Sequence, residues 1–202
     1  RELCCRVTGA NQTTAELQLA RADELGSDLV EVTAHSGARP EHAVWQGGIY
    51  SIKGSTKGYR TLADACGYGS GDGLCGWNCY HNFYPYIIGF STPTFSKQRS
   101  AGNDAEYDTQ QEQRALERAI RSSKKEVMAL DAARKAATTP ETYAQLDEEF
   151  SRAARTLANR RKRLESFLDS HDGFFSASDR TAVGGYDRSI AGKAAWAARK
   201  AT

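Results

Sequence analysis

The sequence predicts an α+β fold, in which a compact α+β unit rich in glycine and aromatic residues is followed by an antiparallel helical hairpin. Thirteen of the 18 glycines lie before residue 90, and eleven of the 19 aromatic residues lie between Trp45 and Phe95. By contrast, 18 of the 27 Lys and Arg residues and 16 of the 25 Asp and Glu residues lie after residue 100. We therefore expect an α+β domain at residues 1–98, the hairpin at residues 104–171, and a C-terminal tail with a weak helix at residues 172–202.

The first unit is expected to open with a helix that feeds a strand. Thr13-Thr-Ala-Glu16 is a capping-box pattern, which predicts a helix start, and Gly26 predicts the end of that helix. Residues 28–33, Asp-Leu-Val-Glu-Val-Thr, are β-branched and partly alternating, which is typical of a strand. A second strand is expected at residues 49–52, and a short helix at residues 59–65.

Residues 67–89 combine glycines, aromatic residues, two cysteines and a histidine in one short run. Glycine lets a backbone turn where a Cβ atom would clash, so we expect a folded loop here and neither a strand nor a helix interior. Such a loop is too apolar to lie loose in water, and we expect its aromatic side chains to be buried. These side chains are Trp77, Tyr80, Phe83, Tyr84 and Tyr86.

The second half is predicted to be helical. Apolar residues recur at intervals of three and four from Leu116 to Leu130, and again from Tyr143 to Phe167. Thr138-Thr-Pro-Glu141 lies between these segments and predicts a threonine cap with proline in the first turn of the next helix. Two helices joined by so short a turn are expected to run antiparallel. A further weak helix is expected at residues 190–200, and the boundary between the two halves near residues 96–104.

Composition excludes some functions. The formal net charge of +2 is too balanced to indicate a nucleic-acid partner by itself. No apolar run approaches the length of a membrane span, so we expect no membrane partner. Because the chain starts at Arg1 without an initiator methionine, we expect it to be part of a longer protein. The five cysteines form no regular framework, which favours a reducing compartment with free or metal-bound thiols.

The strongest chemical hypothesis is a structural zinc ion. Cys75, Cys79 and His81 follow the spacing C-x3-C-x-H, and His35 or His42 could complete a set of four thiolate and imidazole ligands. A glycine-rich loop would gain stability from such a metal. In the alternative interpretation, the buried cysteines act as small apolar residues and His81 donates a hydrogen bond to a backbone carbonyl.

A catalytic site is a second hypothesis. Cys79 beside His81 could act as a nucleophile and its base, and His35, Arg39 and His42 could form a phosphate-handling site. We expect packing and hydrogen bonding to be the main role of these residues, and therefore no catalytic residue.

A basic helix face is a third hypothesis. Its members are Arg114, Arg118, Arg121 and Lys125, and residues 160–163 add a cluster on the next helix. Such rows can contact phosphates or an acidic protein surface. However, Glu117 precedes Arg121 by four residues and weakens the local field, so a solvated helix face is the alternative.

Two long motifs carry a resemblance to a known family. They are His35-x3-Arg39-Pro-x-His42-x2-Trp45-Gln-Gly47 and Gly73-Leu-Cys-Gly-Trp-Asn-Cys-Tyr-His-x-Phe-Tyr-Pro-Tyr-Ile-Ile-Gly89. With both present, the chain resembles the phage minor capsid protein 2 family, which are head-morphogenesis proteins of tailed bacteriophages. The resemblance includes the Thr8-Gly-Ala-Asn-Gln-Thr13 opening, the strand end at residues 30–35 and the helix at residues 113–118, and it is weakest after about residue 173. Tyr80 departs from it, because the motif leads us to expect a basic residue there.

The resemblance implies a structural component of the virion, made in the bacterial cytoplasm, that works through contacts with portal or capsid proteins. Packaged DNA is an alternative contact, through Arg114, Arg118, Arg121 and Lys125. The family supplies no established reaction, so no catalytic residue is carried over, and its N-terminal region is expected to be missing here. Two alternatives stay open: an enzyme or toxin-like effector that uses the His/Cys cluster, and a DNA-binding module.

Overall fold

The structure is a computed structural model that describes residues 2–95 and 102–200. These described residues form six α-helices and a small antiparallel sheet, so the predicted α+β class is confirmed. The chain divides into two compact units, Arg1–Thr109 and Gln110–Thr202. Most of the boundary predicted near residues 96–104 lies outside the described residues.

The sheet of the first unit has three strands, β1 (Leu29–Val32), β2 (Ile49–Ser51) and β3 (Phe83–Tyr86), in the order β2-β1-β3. β1 lies in the centre and all four of its residues are buried. Both neighbours pair with it in antiparallel register, Glu31 opposite Ile49 on one side and Tyr84 on the other. The predicted strands at residues 28–33 and 49–52 are thus confirmed.

β3 contradicts the expectation that residues 67–89 contain no strand. Its residues Phe83–Tyr86 pair along the whole of β1, with Val32 opposite Phe83 and Leu29 opposite Tyr86. This pairing satisfies the backbone N–H and C=O groups along one edge of β1. Because β1 lies about 50 residues earlier in the chain, the local sequence of β3 could not predict the pairing. Pro85 fits at this position because an edge strand can lack one ladder N–H.

The first helix, α1 (Glu2–Glu24), starts earlier than predicted. Thr13 and Thr14 therefore do not cap it. Their hydroxyls donate to the carbonyls of Gly9 (3.0 Å) and Ala10 (2.9 Å), the bonds that threonine makes to the preceding turn inside a helix. The predicted end is confirmed, because Gly26 adopts a left-handed conformation with φ of 65° just after the helix.

Two short helices connect these elements. α2 (Pro40–Ala43) lies in the segment between β1 and β2, where no helix is predicted from the sequence. α3 (Leu62–Cys66) confirms the short helix predicted at residues 59–65. It is capped by Thr61, whose side chain accepts from the Asp64 N–H, and it ends at the left-handed Gly67.

The second unit is helical. α4 (Asn103–Lys135) begins in the first unit and continues into the second, where α5 (Pro140–Asp169), a 3-10 helix (Ser178–Thr181) and α6 (Arg188–Lys200) follow. The predicted cap of α5 is confirmed, with Thr139 accepting from the Thr142 N–H and proline in the first turn. α6 confirms the weak helix expected at residues 190–200. Among the described residues, none of the helices combines the length and the apolar character that a membrane crossing needs.

Side chains from all three of these α-helices form the core of the second unit. Ile120 and Val127 of α4, Phe150 and Leu157 of α5, and Ala194 of α6 belong to one buried apolar cluster. α4 and α5 are also joined by Arg160, which donates to the Ala119 carbonyl (2.9 Å) and to the buried Ser123 hydroxyl (2.7 Å).

One buried carboxylate in this unit is compensated by several cations. Asp131 is 1% exposed and forms ion pairs with Arg134 (3.1 Å), Lys135 (2.6 Å) and Lys193 of α6 (3.3 Å). Burial alone would raise the pKa of Asp131, but the hydrogen bonds donated by Lys135 and Lys193 outweigh it and lower that pKa. The carboxylate is therefore charged in the native state and links α4 to α6.

Candidate metal centre

Three of the five predicted metal ligands come together in the first unit. The ligand atoms of His42, Cys79 and His81 all lie within 4.8 Å of one another, and all three side chains are buried. The other two predicted ligands, His35 and Cys75, are neighbours that do not belong to this group. His35 stacks on the ring of His81 with 4.3 Å between ring centroids, and the Cys75 thiol lies 3.6 Å from the His81 carbonyl oxygen.

The three ligands come from two segments that are fixed to the sheet. His42 lies on α2, the next element along the chain after β1, whereas Cys79 and His81 lie in the segment that leads into β3. α1 holds that second segment from the other side. The Asn11 amide donates to the carbonyls of Cys79 and His81, and the Thr8 hydroxyl accepts from the Asn78 N–H at 3.2 Å.

The glycine loop, residues 67–82, is kept in shape by close backbone contacts. A Cβ atom added to Gly73 would lie 2.0 Å from the Gly67 carbonyl oxygen, and one added to Gly76 would lie 2.4 Å from that of Gly71. Two residues that are not glycine, Cys75 (φ 60°) and Asn78 (φ 51°), adopt the left-handed conformation. Such residues cost free energy and persist only where the surrounding structure determines them.

The predicted burial of the loop aromatics is wrong for three of the five. Phe83 is fully buried, but Trp77, Tyr80 and Tyr84 are 67%, 59% and 47% exposed. The loop does not need their burial, because backbone hydrogen bonds such as Leu74 N–H to Cys66 O (2.9 Å) and the glycine contacts already fix its shape. These aromatic side chains are therefore presented to solvent by a rigid segment.

The spacing of the cluster agrees with tetrahedral metal coordination. The Cys79 sulfur lies 3.8 Å from Nδ1 of His42 and 3.7 Å from Nδ1 of His81. Tetrahedral Zn²⁺, with Zn–S of about 2.3 Å and Zn–N of about 2.0–2.1 Å, places sulfur and nitrogen ligands about 3.5 Å apart. Each sulfur–nitrogen pair would need to shorten by only a few tenths of an ångström, and the two imidazole nitrogens, which lie within 4.8 Å of each other, would need to draw together as well. The donor set of two imidazoles and one thiolate suits zinc.

Each imidazole makes a hydrogen bond with its other nitrogen. Nε2 of His42 lies 2.8 Å from the Asp72 carbonyl oxygen, and Nε2 of His81 lies 3.0 Å from Oε1 of the buried Gln46. Histidine ligands usually donate their second N–H to such an oxygen, which fixes the orientation of the ring. Trp45 packs against both rings, with centroid distances of 4.6 Å to His42 and 4.8 Å to His81.

Burial keeps the metal-free cluster neutral. It raises the pKa of the Cys79 thiol, and it raises that of Cys75 to about 12. Burial likewise lowers the pKa of His42, and together with the nearby His35, His42 and Arg39 it lowers that of His81 to about 3. At neutral pH the three side chains therefore lack charge, and a metal ion that binds them must displace the thiol proton.

The group supplies three donors, one fewer than a closed tetrahedral site uses, but its burial argues against catalysis by the side chains themselves. Cys79 and His81 are each 1% exposed, which leaves no surface on them for a substrate, and a thiol with a raised pKa is a weak nucleophile. Burial thus argues against Cys79 and His81 as a nucleophile and its base.

Sequence reasoning missed the residues that support the ligands. Trp45 and Gln46 lie in the first of the two long motifs, and Asn11 lies in residues 8–13, but the sequence assigned no function to any of them. All three are polar or aromatic residues within the stretches that carry the family resemblance, and none of them was proposed as a metal ligand. Their position in those stretches is the signal that could have indicated a supporting role. The Asp72 carbonyl carries no side-chain signal at all.

Comparison with known proteins gives a family. The sequence profile described as Phage minor capsid protein 2 matches residues 5–169, which is more than half of the chain. The chain belongs to the phage minor capsid protein 2 family. No curated protein matches it, and no solved structure does.

Membership of the minor capsid protein family indicates a structural role in the virion, alongside other virion proteins. The resemblance read from the two long motifs is thereby confirmed. The matched region contains the His42, Cys79 and His81 group, nearly all of α1, the sheet, α4 and α5, and it ends before the 3-10 helix and α6.

The predicted basic face of this minor capsid protein lies on α4. Arg118 and Lys125 are exposed, and Arg114 is half-buried. Arg121 donates to the backbone carbonyl of Arg180, so this guanidinium is partly engaged within the second unit. Of the cluster at residues 160–163, Arg160 is likewise engaged with α4. DNA contact through this face stays a prediction.

Proposed function

We propose that this minor capsid protein is a structural head component that docks onto portal or capsid proteins through a rigid aromatic loop, which a zinc ion holds in shape. One observation carries the proposal: residues 67–89 bury their reactive side chains, Cys79 and His81, and expose the large rings of Trp77 and Tyr80. That is the distribution expected of a scaffold that works by contact.

The exposed apolar side chains of the first unit support docking. Besides Trp77, Tyr80 and Tyr84, the segment after β3 exposes Ile88 (59%) and Phe90 (89%). Aromatic residues are enriched at protein interfaces, and exposed apolar side chains mark an interaction site where they form a contiguous patch. A rigid loop also loses little conformational entropy on docking, which favours affinity.

The zinc ion is supported by the chemistry of its donors. Two imidazoles and one thiolate are ligands that Zn²⁺ prefers, and the metal would join α2 to the segment before β3. The free energy of metal binding would thereby offset the free-energy cost of the left-handed backbone at Cys75 and Asn78, which lie in that segment. His42, Cys79 and His81 would hold it.

We also propose that α4 and α5 form the predicted antiparallel hairpin and present a second surface to the particle. The connection between them is only four residues long. Arg134, near the end of α4, pairs with Asp147, near the start of α5, and Arg160 reaches back to Ser123. Both links support an antiparallel arrangement.

Elemental analysis of the purified chain tests the zinc ion. We expect one equivalent of zinc, lost in the His42→Ala, Cys79→Ser double variant and kept when the exposed Cys5 is changed to Ser. Binding of less than a tenth of an equivalent by the unaltered chain, after exposure to excess zinc, would remove the metal from the proposal.

Assembly tests the docking surface. Heads produced with a Trp77→Ser, Tyr80→Ser variant should contain far less of this protein than heads made with the unaltered chain. The matched control is Phe175→Ser, which changes a ring that is 74% exposed but lies outside the family match. Equal incorporation of the loop variant and the control would contradict docking through the loop.

A further inference from the structure

We infer that the metal is bound through Nδ1 of both His42 and His81, and that Gln46 is the positioning residue that presents Nδ1 of His81. This inference rests on the proposed zinc site and deepens it. It names the coordinating atom of each ring and assigns a role to Gln46, which is fully buried.

The argument starts from the side-chain oxygen of Gln46. This atom lies 3.0 Å from the backbone nitrogen of His35, and a backbone N–H can only donate. The atom facing it must therefore be the amide oxygen, Oε1, which settles the orientation of the Gln46 amide.

The same oxygen then determines the tautomer of His81. Nε2 of His81 lies 3.0 Å from Gln46 Oε1, and an amide oxygen can only accept. Nε2 must carry the proton, so in the neutral ring Nδ1 carries the lone pair. That lone pair is on the side of the ring that lies 3.7 Å from the Cys79 sulfur.

His42 reaches the same state through the backbone. Its Nε2 lies 2.8 Å from the carbonyl oxygen of Asp72, which again can only accept, so Nε2 donates and Nδ1 carries the lone pair. Nδ1 of His42 lies 3.8 Å from the same sulfur. Both rings are thus locked with their lone pairs toward Cys79.

The proton count of this cluster favours a cation. Two nitrogen lone pairs face one thiol, and a thiol has a single proton to donate, so one buried nitrogen lacks a donor. A buried acceptor without a donor costs free energy. A divalent, thiophilic cation in exchange for the thiol proton satisfies the sulfur and both nitrogens at once.

Cadmium-113 NMR of the full chain reads the coordinating atoms directly. A metal on Nδ1 is three bonds from Hε1 and four from Hδ2, whereas a metal on Nε2 is three bonds from both protons. In a proton–cadmium correlation spectrum we expect signals from Hε1 alone for His42 and His81. Signals from Hε1 and Hδ2 of either ring would overturn the inference for that ring.

A Gln46→Leu variant tests the positioning role. Without the acceptor, the His81 ring can change tautomer and also rotate to present Nε2 to the metal, so an Hδ2 signal should appear for His81 while His42 keeps Hε1 alone. The affinity for zinc, measured by chelator competition, should fall by about 10–100-fold. An unchanged affinity together with an unchanged His81 spectrum would contradict the role of Gln46.

The matched control is Ser51→Ala. Ser51 is also fully buried in the first unit, and its hydroxyl bonds Asp28 and the Gly54 N–H and is not part of the metal cluster. We expect it to lower stability and leave the zinc affinity within about twofold, whereas an equal loss of affinity in both variants would show a merely structural role for Gln46. If Gln46→Leu does not fold, the cadmium spectrum of the unaltered chain still decides the coordinating atoms.

Failure of the inference and failure of the proposed zinc site give different results. An unaltered chain that binds neither zinc nor cadmium removes the site itself. A chain that binds cadmium through Nε2 keeps the site and removes the inference.

Discussion

Gly73→Ala tests the claim that close backbone contacts hold the glycine loop in shape. The new Cβ atom would lie 2.0 Å from the oxygen and 2.5 Å from the carbon of the Gly67 carbonyl, and 2.8 Å from the Cys66 oxygen. All three are backbone atoms, so no side chain can rotate away. Gly73 has no left-handed φ, so the cost of the change is steric.

The magnitude follows from the movement required. Ordinary contact begins at 3.4 Å, so the two backbone segments must separate by more than about 1 Å. That movement pulls on the Leu74 N–H bond to Cys66 O and on the buried Leu74 side chain. Overpacking costs about 1–3 kcal/mol and a lost hydrogen bond about 1 kcal/mol, so we expect a loss of about 2–4 kcal/mol. This is a large part of the stability of an ordinary domain.

Urea unfolding followed by circular dichroism measures the change, with Gly9→Ala as the control. Gly9 lies inside α1 and nothing stands within 4 Å of an added Cβ, so alanine should stabilise the chain by about 1 kcal/mol. The two Gly→Ala changes thus have opposite expected signs. A Gly73→Ala variant within about 0.5 kcal/mol of the unaltered chain would refute the close-contact account of the loop.

Three other predictions concern charge and accessibility. Asp131→Asn should lower the free energy of unfolding by about 2 kcal/mol at pH 7, because the buried carboxylate accepts charge-assisted hydrogen bonds from Lys135, Lys193 and Arg134 that a neutral amide replaces only weakly. Because the native pKa of Asp131 is lowered, its contribution to stability is present above about pH 4 and is lost as the pH falls further. The free energies of unfolding of the two proteins, measured in urea, should therefore converge in acid. A constant difference would contradict the ion-pair account. A thiol reagent should modify the exposed Cys5 quickly and the buried Cys79 much more slowly in the native chain, and at equal rates in urea; equal native rates would contradict the burial. If α4 presents a solvated face, the affinity for duplex DNA should be weak and nearly unchanged in an Arg118→Ala, Lys125→Ala variant. A steep slope of log affinity against log salt concentration, reduced by about one unit per removed cation, would support DNA contact.

Local patterns were sufficient for elements with their own signals. The three-four spacing of α5 and its Thr139 cap, the β-branched run of β1 and the glycine end of α1 all depend on neighbours in the chain. The same reasoning misplaced the start of α1, because threonine is compatible both with a capping box and with a helix interior, where the Thr13 hydroxyl bonds the preceding turn. It also missed β3, whose formation depends on the edge of β1.

The candidate site divides in the same way. Residue chemistry gave five candidate ligands, His35, His42, Cys75, Cys79 and His81, and distances across the fold decide that His42, Cys79 and His81 are the three that converge. Burial of Cys79 and exposure of Trp77, two residues apart, could not be read from composition, because both suit a packed loop. The acceptors of the two imidazole N–H groups, Oε1 of Gln46 and the Asp72 carbonyl oxygen, can be identified only from the positions of the rings in the fold.

By itself, the sequence determined the α+β class, most of the helices and the family, because periodicity, caps and long motifs are local properties of a chain. The tertiary structure alone decided which side chains meet and in which state. Pairing of β3 with β1 brings Cys79 and His81 to the end of α2, and only there do two imidazole lone pairs face one buried sulfur. Such a meeting depends on the closure of a long loop, whose geometry no short stretch of residues contains.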